Sequence, residues 1–187
     1  MDDQSSLQPK KKIVFIGGGG GVRNIAPALR DAYDFTAIIS TFDNGGSYGR
    51  LRGPYRSPLT GDVRSALAAL SDNHLGELSE YRFERGDVEG HAFGNILLTA
   101  MHATHEEPAT AMEKLHQLYH VRGRVLPVSY TYADINAELM DRTILRGESA
   151  IDEPHAKSHV RIRRLWLDPE PVLAPGIVEC LAAADLI

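Results

Sequence analysis

Five consecutive glycines, residues 17–21, stand between an apolar run and a helical pattern near the start of the chain. Residues 13–16 have the β-branched character of a buried strand, and Ile25, Ala28 and Leu29 recur at helical spacing. A glycine turn at the start of a helix points backbone N–H groups at an anion, and no Cβ blocks the approach of a phosphate. We therefore predict a phosphate-binding loop; the alternative is a flexible turn without a ligand.

The glycine stretch matches no standard nucleotide-binding fingerprint. No Gly-Lys-Ser/Thr follows it at the offset that a P-loop requires. If Gly17 and Gly19 are the first two glycines of a dinucleotide fingerprint, Val22 occupies the third position, and a shift by one residue puts Arg23 there. The pattern indicates a nucleotide or another phosphorylated ligand on an α/β sheet, and no finer class.

A second glycine-rich stretch, residues 42–52, follows the apolar run 35–41. That run has apolar residues on both of its faces, as in a parallel strand buried on both sides. Strand, helix and strand together predict a right-handed βαβ unit, so both glycine-rich stretches leave the same carboxyl edge, where open α/β sheets bind ligands. The candidate binding residues of the second stretch are Asp43, Asn44, Gly45, Gly46, Ser47 and Arg50.

Two further segments place polar residues at predicted helix starts. Asp62 suits the N-cap or first turn of a helix opening at residue 61, whereas capping does not explain Arg64 beside it. His91 and Asn95 precede the apolar run 96–101, and His91 alone is better read as a hydrogen-bonded structural histidine. The predicted inward face of the helix from residue 61 comprises Val63, Ala66, Leu67 and Leu70.

Four histidines at helical spacings invite a metal hypothesis. They are His102, His105, His116 and His120. Because no Glu-x-x-His motif or cysteine ligand accompanies them, we interpret them as residues of solvated helix faces and predict no metal site. We find no Ser-His-Asp set and no close carboxylate pair, so covalent catalysis lacks support and ligand binding is favoured over catalysis. The helix that Pro108 begins should bury Ala111, Met112, Leu115, Leu118 and Tyr119.

The remaining segments complete the predicted fold, a doubly wound, mostly parallel Rossmann-like α/β sheet. A short helix is expected over residues 75–83, and a β-rich insertion over about residues 121–170, with strands at 124–128, 135–139 and 143–145. Alternation in two registers between residues 160 and 167 suggests a β-bulge, after a loop at 152–158. A helix at 176–184 leads to residues 185–187, which begin a strand and leave the sheet unfinished. Residues 1–10 are expected to be a disordered leader.

Composition narrows the class of protein. The 187 residues suggest a single domain, and 43% apolar residues suffice for a core. A net charge of -5 argues against a nucleic-acid partner. The single cysteine, Cys180, excludes an internal disulfide, and no apolar run approaches the roughly 20 residues of a membrane span. We expect a cytoplasmic protein without a membrane span.

Seven segments occur in an order that resembles the YvcK family, also called gluconeogenesis factors, within the CofD-like superfamily. The resemblance extends over residues 11–187. The segments that carry it are 16–21, 43–52, 61–64, 80–83 (Glu-Tyr-Arg-Phe), 90–95, 122–127 and 147–149 (Gly-Glu-Ser). The Glu-Tyr-Arg-Phe and Gly-Arg-Val-Leu-Pro segments favour the YvcK branch over the CofD branch.

The resemblance implies a domain that binds a nucleotide-diphosphate ligand. In the YvcK branch that ligand is a nucleotide sugar of the UDP-N-acetylglucosamine type, and the role is regulatory, in central carbon metabolism and in cell-wall synthesis or cell shape. In the CofD branch a magnesium-dependent transferase moves a phospholactyl group from a guanosine diphosphate donor to a deazaflavin acceptor. The sequence leaves a homodimer open.

Departures from the family pattern affect the expected site. Gly20 stands where relatives usually carry a Thr, Asn44 stands where a second Asp is common, and Ser65 replaces an Asn. Relatives also continue beyond the position of residue 187, so we expect a truncated domain.

The resemblance and the loops together suggest a role for each candidate. The diphosphate would bind the loop Gly18, Gly19, Gly20 and Gly21, with Gly45, Gly46 and Ser47 closing over it. Arg50 or Arg64 would neutralise its charge through bidentate contacts. Asp43 and Asn95 would bind sugar hydroxyls, or Mg²⁺ if the protein is a transferase.

Overall fold

The computed structural model describes residues 9–152 and 160–187. The predicted leader and the predicted loop at 152–158 fall outside the described residues except at their ends. In chain order the elements are β1 Lys12–Gly17, α1 Gly19–Leu29, β2 Asp34–Ile39, α2 Gly46–Tyr55, α3 Gly61–Leu70, α4 Leu75–Glu80, α5 Phe93–Ala103, α6 Pro108–Tyr119, β3 Arg124–Pro127, β4 Asp134–Leu139, β5 Ile144–Arg146, α7 Glu148–Asp152, β6 Ile162–Asp168 and α8 Ile177–Ala182.

A parallel sheet in the order β1-β2-β3 forms the centre of the fold. Strand β1 pairs with β2 from Lys12 opposite Asp34 onward, which confirms the predicted βαβ unit. Leu186 forms a parallel bridge with Ile13 on the other edge of β1, as expected for a further strand beginning there. Strand β3 pairs in parallel with β2, so residues 124–127 belong to this sheet and not to the insertion in which the sequence placed them.

Strand β2 is buried on both faces because helices cover both sides of the sheet. On one side Phe35, Ala37 and Ile39 pack in the main core, together with α1, α3, α5 and α6. On the other side Ile38 packs in a smaller core beneath α8, with Ile177 at its centre. This two-sided burial confirms the doubly wound architecture.

Helix α1 buries a different face from the one expected, and helix α6 departs from its predicted stripe at one residue. In α1 the buried residues are Gly19, Val22 and Ala26, whereas Ile25 is 36% exposed, because the N-terminal turn packs against α3. In α6 the predicted stripe is buried except for Leu118, which is 44% exposed. In α3 the whole predicted face is buried.

Helix α2 occupies residues 46–55, although the sequence predicted a glycine-rich loop over residues 42–52. Its long-range anchor is Arg52, whose side chain is almost fully buried. The guanidinium donates to Asp134 Oδ1 and to Ala133 O, both at 2.5 Å, and lies 4.3 Å from the centre of the Tyr132 ring. Contacts with residues some 80 positions away in the chain therefore hold a segment with little helical signal of its own. Helix α4 also ends earlier than expected, at Glu80, because Arg82 forms a bridge with Ala92.

The second sheet is antiparallel, in the order β5-β4-β6. Glu138 pairs with Arg164 and Leu139 with Ile162, so one extra residue of β6 is accommodated between them. This register shift confirms the predicted bulge. Helix α7, which follows β5, was not predicted.

The difference between Leu67 and Leu118 can be tested by truncation. Leu67→Ala should lower the free energy of unfolding by about 2–5 kcal/mol, because the side chain is fully buried. Leu118→Ala, the matched control, should change it by no more than about 0.5 kcal/mol. Urea unfolding monitored by circular dichroism measures both, and equal losses would contradict the observed burial of α6.

Candidate ligand cleft

A cleft of about 410 Å³ opens beyond the carboxyl ends of β1 and β2. Its lining combines sequence candidates from four separate segments: Gly20, Asp43, Gly45, Gly46, Asp62, Arg64 and Asn95. Its lining also contains residues that were not among the candidate binding residues of the sequence analysis: Arg23, Gly61, Ser65 and Arg82. The predicted meeting of the glycine-rich stretches at one sheet edge is therefore observed.

The glycines of the first loop serve different purposes. A Cβ at Gly19 would lie 2.6 Å from the backbone oxygen of Asp62 and 2.6 Å from Ser65 Cβ, so glycine allows α1 to approach α3. A Cβ at Gly21 would lie 2.7 Å from the Phe15 ring. A Cβ at Gly20 would meet nothing within 4 Å, and Gly20 lines the cleft. Of these three glycines, only Gly20 faces open space that a ligand could fill.

Asp62 places a carboxylate of the protein itself at the N-terminus of α1. It accepts a hydrogen bond from the Gly19 N–H, and its Oδ2 lies 2.8 Å from where a Cβ would stand on Gly18. Burial raises the pKa of Asp62, the Gly19 hydrogen bond opposes that rise, and Asp43 adds to it. Because the first intrahelical bond runs from Val22 N to Gly18 O, the helix itself leaves the N–H groups of Gly20 and Gly21 available to an anion.

The second loop is held in shape by two side-chain oxygens. Asp43 Oδ1 accepts a hydrogen bond of 2.6 Å from Gly45 N, and Asn44 Oδ1 accepts one of 2.9 Å from Ser149 N. Gly46 then begins α2 with a φ of +57°, a left-handed conformation that favours glycine. The backbone of Ser47 lies in the first turn of α2. Asn44 therefore joins the loop to α7 and does not line the cleft.

A carboxylate pair, Asp43 and Glu148, lies beside this loop. A Cβ on Gly45 would stand 3.2 Å from Asp43 Oδ1 and 3.6 Å from Glu148 Oε2. The hydrogen bond with Asp43, with burial as a second cause, raises the pKa of Glu148 to about 7. The sequence-based conclusion that no close carboxylate pair exists was wrong. The signal was the Gly-Glu-Ser segment at residues 147–149, which carried the family resemblance but was assigned no role.

Arginines from three segments meet on the opposite wall. Arg64 is 95% buried, forms an ion pair with Glu80, and donates from Nη2 to Ser65 Oγ at 3.1 Å. Burial lowers the pKa of Arg64, and Glu80 opposes that effect. Arg23 Nη2 donates to the same Ser65 Oγ at 3.0 Å and lies 3.6 Å from Glu80 Oε2. Arg82 lines the cleft next to them and donates to Gly90 O at 3.0 Å.

The other candidates lie at the margin of the cleft or behind it. Arg50 Nη2 donates to Glu89 O at 3.0 Å, and Arg50 is outside the lining. His91 is buried beside it, and burial, with Arg50 as a second cause, lowers the pKa of His91. Asn95, in the first turn of α5, is buried and reaches the lining.

The helical histidines are not all on solvated faces, as the sequence suggested. His116 Nε2 accepts a hydrogen bond from Val125 N at 2.9 Å, and its Nδ1 contacts Met112 O at 2.8 Å. This histidine joins α6 to β3, and burial lowers its pKa. Within residues 9–152 and 160–187, no group of three or more His, Cys, Asp or Glu side chains is arranged to hold a metal ion.

The described residues contain no candidate for a membrane-spanning helix. None of the helices in these two segments has both the length and the apolar character needed to cross a bilayer.

The fold and the cleft define a CofD-like α/β protein. The family model described as 2-phospho-L-lactate transferase CofD matches residues 13–187, and the chain belongs to this family. The chain is also similar to relatives named gluconeogenesis factor.

The relatives are similar over nearly all of this chain. The gluconeogenesis factor of Bacillus subtilis is 37% identical over 183 residues, covering 95% of this chain and 56% of the relative. The gluconeogenesis factor of Listeria innocua is 36% identical over 187 residues, covering 97% of this chain and 57% of the relative. A crystal structure of the protein BH3568 from Bacillus halodurans superposes with a TM-score of 0.84 at 36% identity, covering 95% of this chain and 58% of that one. The chain thus spans little more than half the length of these relatives.

The carboxylate pair gives a pH-dependent stability. The pKa of Glu148 is about 7 in the folded state and near 4.5 without its partner. Between these two pH values the folded protein holds a proton that the unfolded chain releases. The wild type therefore loses stability across the window, whereas Glu148→Gln does not. We expect the variant to match the wild type near pH 5 and to exceed it near pH 8.

Urea unfolding at the two pH values measures the difference, with Glu84→Gln as the control for loss of an exposed carboxylate. An offset between Glu148→Gln and the wild type that is the same at both pH values would contradict the shared proton.

Proposed function

We propose that the cleft binds a nucleotide diphosphate, of the nucleotide-sugar type that UDP-N-acetylglucosamine represents. The observation that carries the proposal is the convergence of three anion-binding elements in one cleft: the exposed backbone at Gly20, the Gly45 and Gly46 turn, and the arginine wall. Asp43 and Asn95, on the same lining, are the acceptors and donors that sugar hydroxyls require.

We further propose that binding serves regulation of gluconeogenesis and of cell-wall synthesis or cell shape, in the cytoplasm. The names of the relatives support the first part of this role. Because the chain spans little more than half of each relative, the ligand-sensing cleft is the part of such a regulator that these residues could provide.

A second candidate is transfer of a phospholactyl group, which the description of the matching family model favours. A magnesium-dependent transferase would use carboxylates at the second loop to hold the metal with the ligand's phosphates. Here Asn44 takes the place of one carboxylate, and its Oδ1 already accepts from Ser149 N. The described residues thus fit binding better than metal-assisted transfer, and magnesium-dependent product formation would favour the transferase.

Titration calorimetry with UDP-N-acetylglucosamine tests the binding proposal, and Gly20→Asp is the informative variant. A Cβ at Gly20 meets nothing within 4 Å, so the variant should fold, while its carboxylate enters the cleft and repels phosphate. We expect saturable binding by the wild type and at least about tenfold weaker binding by Gly20→Asp.

Gly53→Asp is the matched control. Its Cβ also meets nothing within 4 Å, it adds the same charge, and it lies outside the cleft lining. Its affinity should stay within about twofold of the wild type. Absence of binding by the wild type, or equal losses in the two variants, would contradict the proposal.

A further inference from the structure

We propose that Arg23, Arg82 and Ser65 form an anion subsite that takes the phosphate oxygens of the ligand, and that they orient it across the cleft. This inference rests on the proposed function but gives a binding role to residues that were not among the candidate binding residues of the sequence analysis. It also shifts the phosphate contacts away from Arg50, which lies outside the lining.

Ser65 is prepared as a donor by the two guanidinium groups beside it. Its Oγ accepts from Arg23 Nη2 at 3.0 Å and from Arg64 Nη2 at 3.1 Å. A serine hydroxyl has two acceptor positions and one proton, so these bonds use both acceptor positions and leave the O–H to donate. Since Ser65 lines the cleft, a phosphate oxygen there would receive that proton in a hydrogen bond.

The arginine wall carries one more positive charge than its two neighbouring carboxylates, Glu80 and Asp62, can neutralise. Glu80 forms its close ion pair with the buried Arg64, and Arg23 lies farther from it, at 3.6 Å. Arg82 uses one nitrogen on the neutral Gly90 O. Asp62, on the same lining, also attracts Arg64 and Arg23. Three guanidinium groups thus face two carboxylates, and repulsion from Arg82 and Arg23 adds to burial in lowering the pKa of Arg64. A phosphate between Arg23 and Arg82 would relieve this repulsion.

Stability of the fold does not account for Arg23 and Arg82. The Arg23 side chain is 55% exposed, and ion pairs of exposed side chains contribute little to the stability of a fold. Arg64 with Glu80 already satisfies the buried part of the network. The two outer arginines are therefore free to serve a ligand at little cost in stability.

The other wall of the cleft has the opposite character. Asp43 stands there beside Glu148, and it accepts from Gly45 N through one oxygen. Carboxylates repel phosphate and accept hydrogen bonds from hydroxyl groups. The cleft is thus divided into an arginine wall for phosphate and an acidic wall for a hydroxyl-bearing group, which is the charge pattern of a sugar phosphate.

Calorimetric titration with inorganic pyrophosphate and with UDP-N-acetylglucosamine tests the assignment. Arg23→Gln and Arg82→Gln should each weaken both probes by about 10- to 100-fold, because each removes a charge-assisted hydrogen bond. Ser65→Ala should weaken them by about 3- to 10-fold through loss of one neutral donor. Thermal unfolding should show all three variants folded, since Arg23 and Arg82 are exposed and Ser65→Ala removes only the hydroxyl of a buried helical residue.

Two controls lose the same charge elsewhere. Arg50→Gln removes a guanidinium close to the cleft but outside its lining, and Arg142→Gln removes an exposed one at the β4–β5 turn. Both should stay within about twofold of the wild type. A loss in Arg50→Gln as large as in Arg23→Gln would overturn the assignment, because charge in the neighbourhood would then suffice.

The two probes separate this inference from the proposed function. UDP-N-acetylglucosamine binding that survives Arg23→Gln and Arg82→Gln would overturn the subsite and leave the proposed function standing. Pyrophosphate binding that depends on these arginines, without binding of the nucleotide sugar by the wild type, would support the subsite and contradict the proposed function. If the wild type binds neither probe, both are contradicted.

Discussion

The close contact between the N-terminal turns of α1 and α3 is the constraint on which the cleft depends. Any side chain at residue 19 would collide with the backbone of Asp62, and the Gly19 N–H in turn donates to the Asp62 carboxylate. This contact brings Gly20 and Arg23 of α1 to the same wall as Arg64 and Ser65 of α3. The same contact places the Asp62 carboxylate at the positive N-terminal end of α1, where it accepts from the Gly19 N–H. The N–H groups of Gly20 and Gly21 remain available to a ligand.

The same contact explains why the cleft has two kinds of wall. With Asp62 committed to Gly19, the arginines on α1 and α3 have Glu80 as their carboxylate partner. At the second loop, the first turn of α7 docks through the Ser149 N–H on Asn44 and brings Glu148 to Asp43. The two carboxylates can coexist at neutral pH because they share a proton, and this keeps negative charge low on this side of the cleft.

Local patterns predicted the fold well, and contacts between distant residues account for what they missed. The strand 35–39, the βαβ unit, the buried face of α3 and the bulge in β6 all follow from periodicity over a few residues. Helix α2 was missed because its anchor, Arg52, finds its partners 81 and 82 residues further along.

The site divides in the same way. The glycine-rich stretches and Arg64 could be found from residue type and spacing, whereas Arg23 gains a role only by meeting Ser65, 42 residues away. The pairing of Asp43 with Glu148 similarly depends on docking across about a hundred residues, which no local pattern encodes.

The central claim is that the glycine loop and the arginine wall hold one diphosphate. A crystal structure of the chain with UDP-N-acetylglucosamine tests it most directly. The account predicts phosphate oxygens about 3 Å from the Gly20 N–H and from the Arg23 guanidinium, with the sugar toward Asp43. Ligand density elsewhere, such as in the cavity lined by Lys12, Asp34, Arg124 and Cys180, would contradict it.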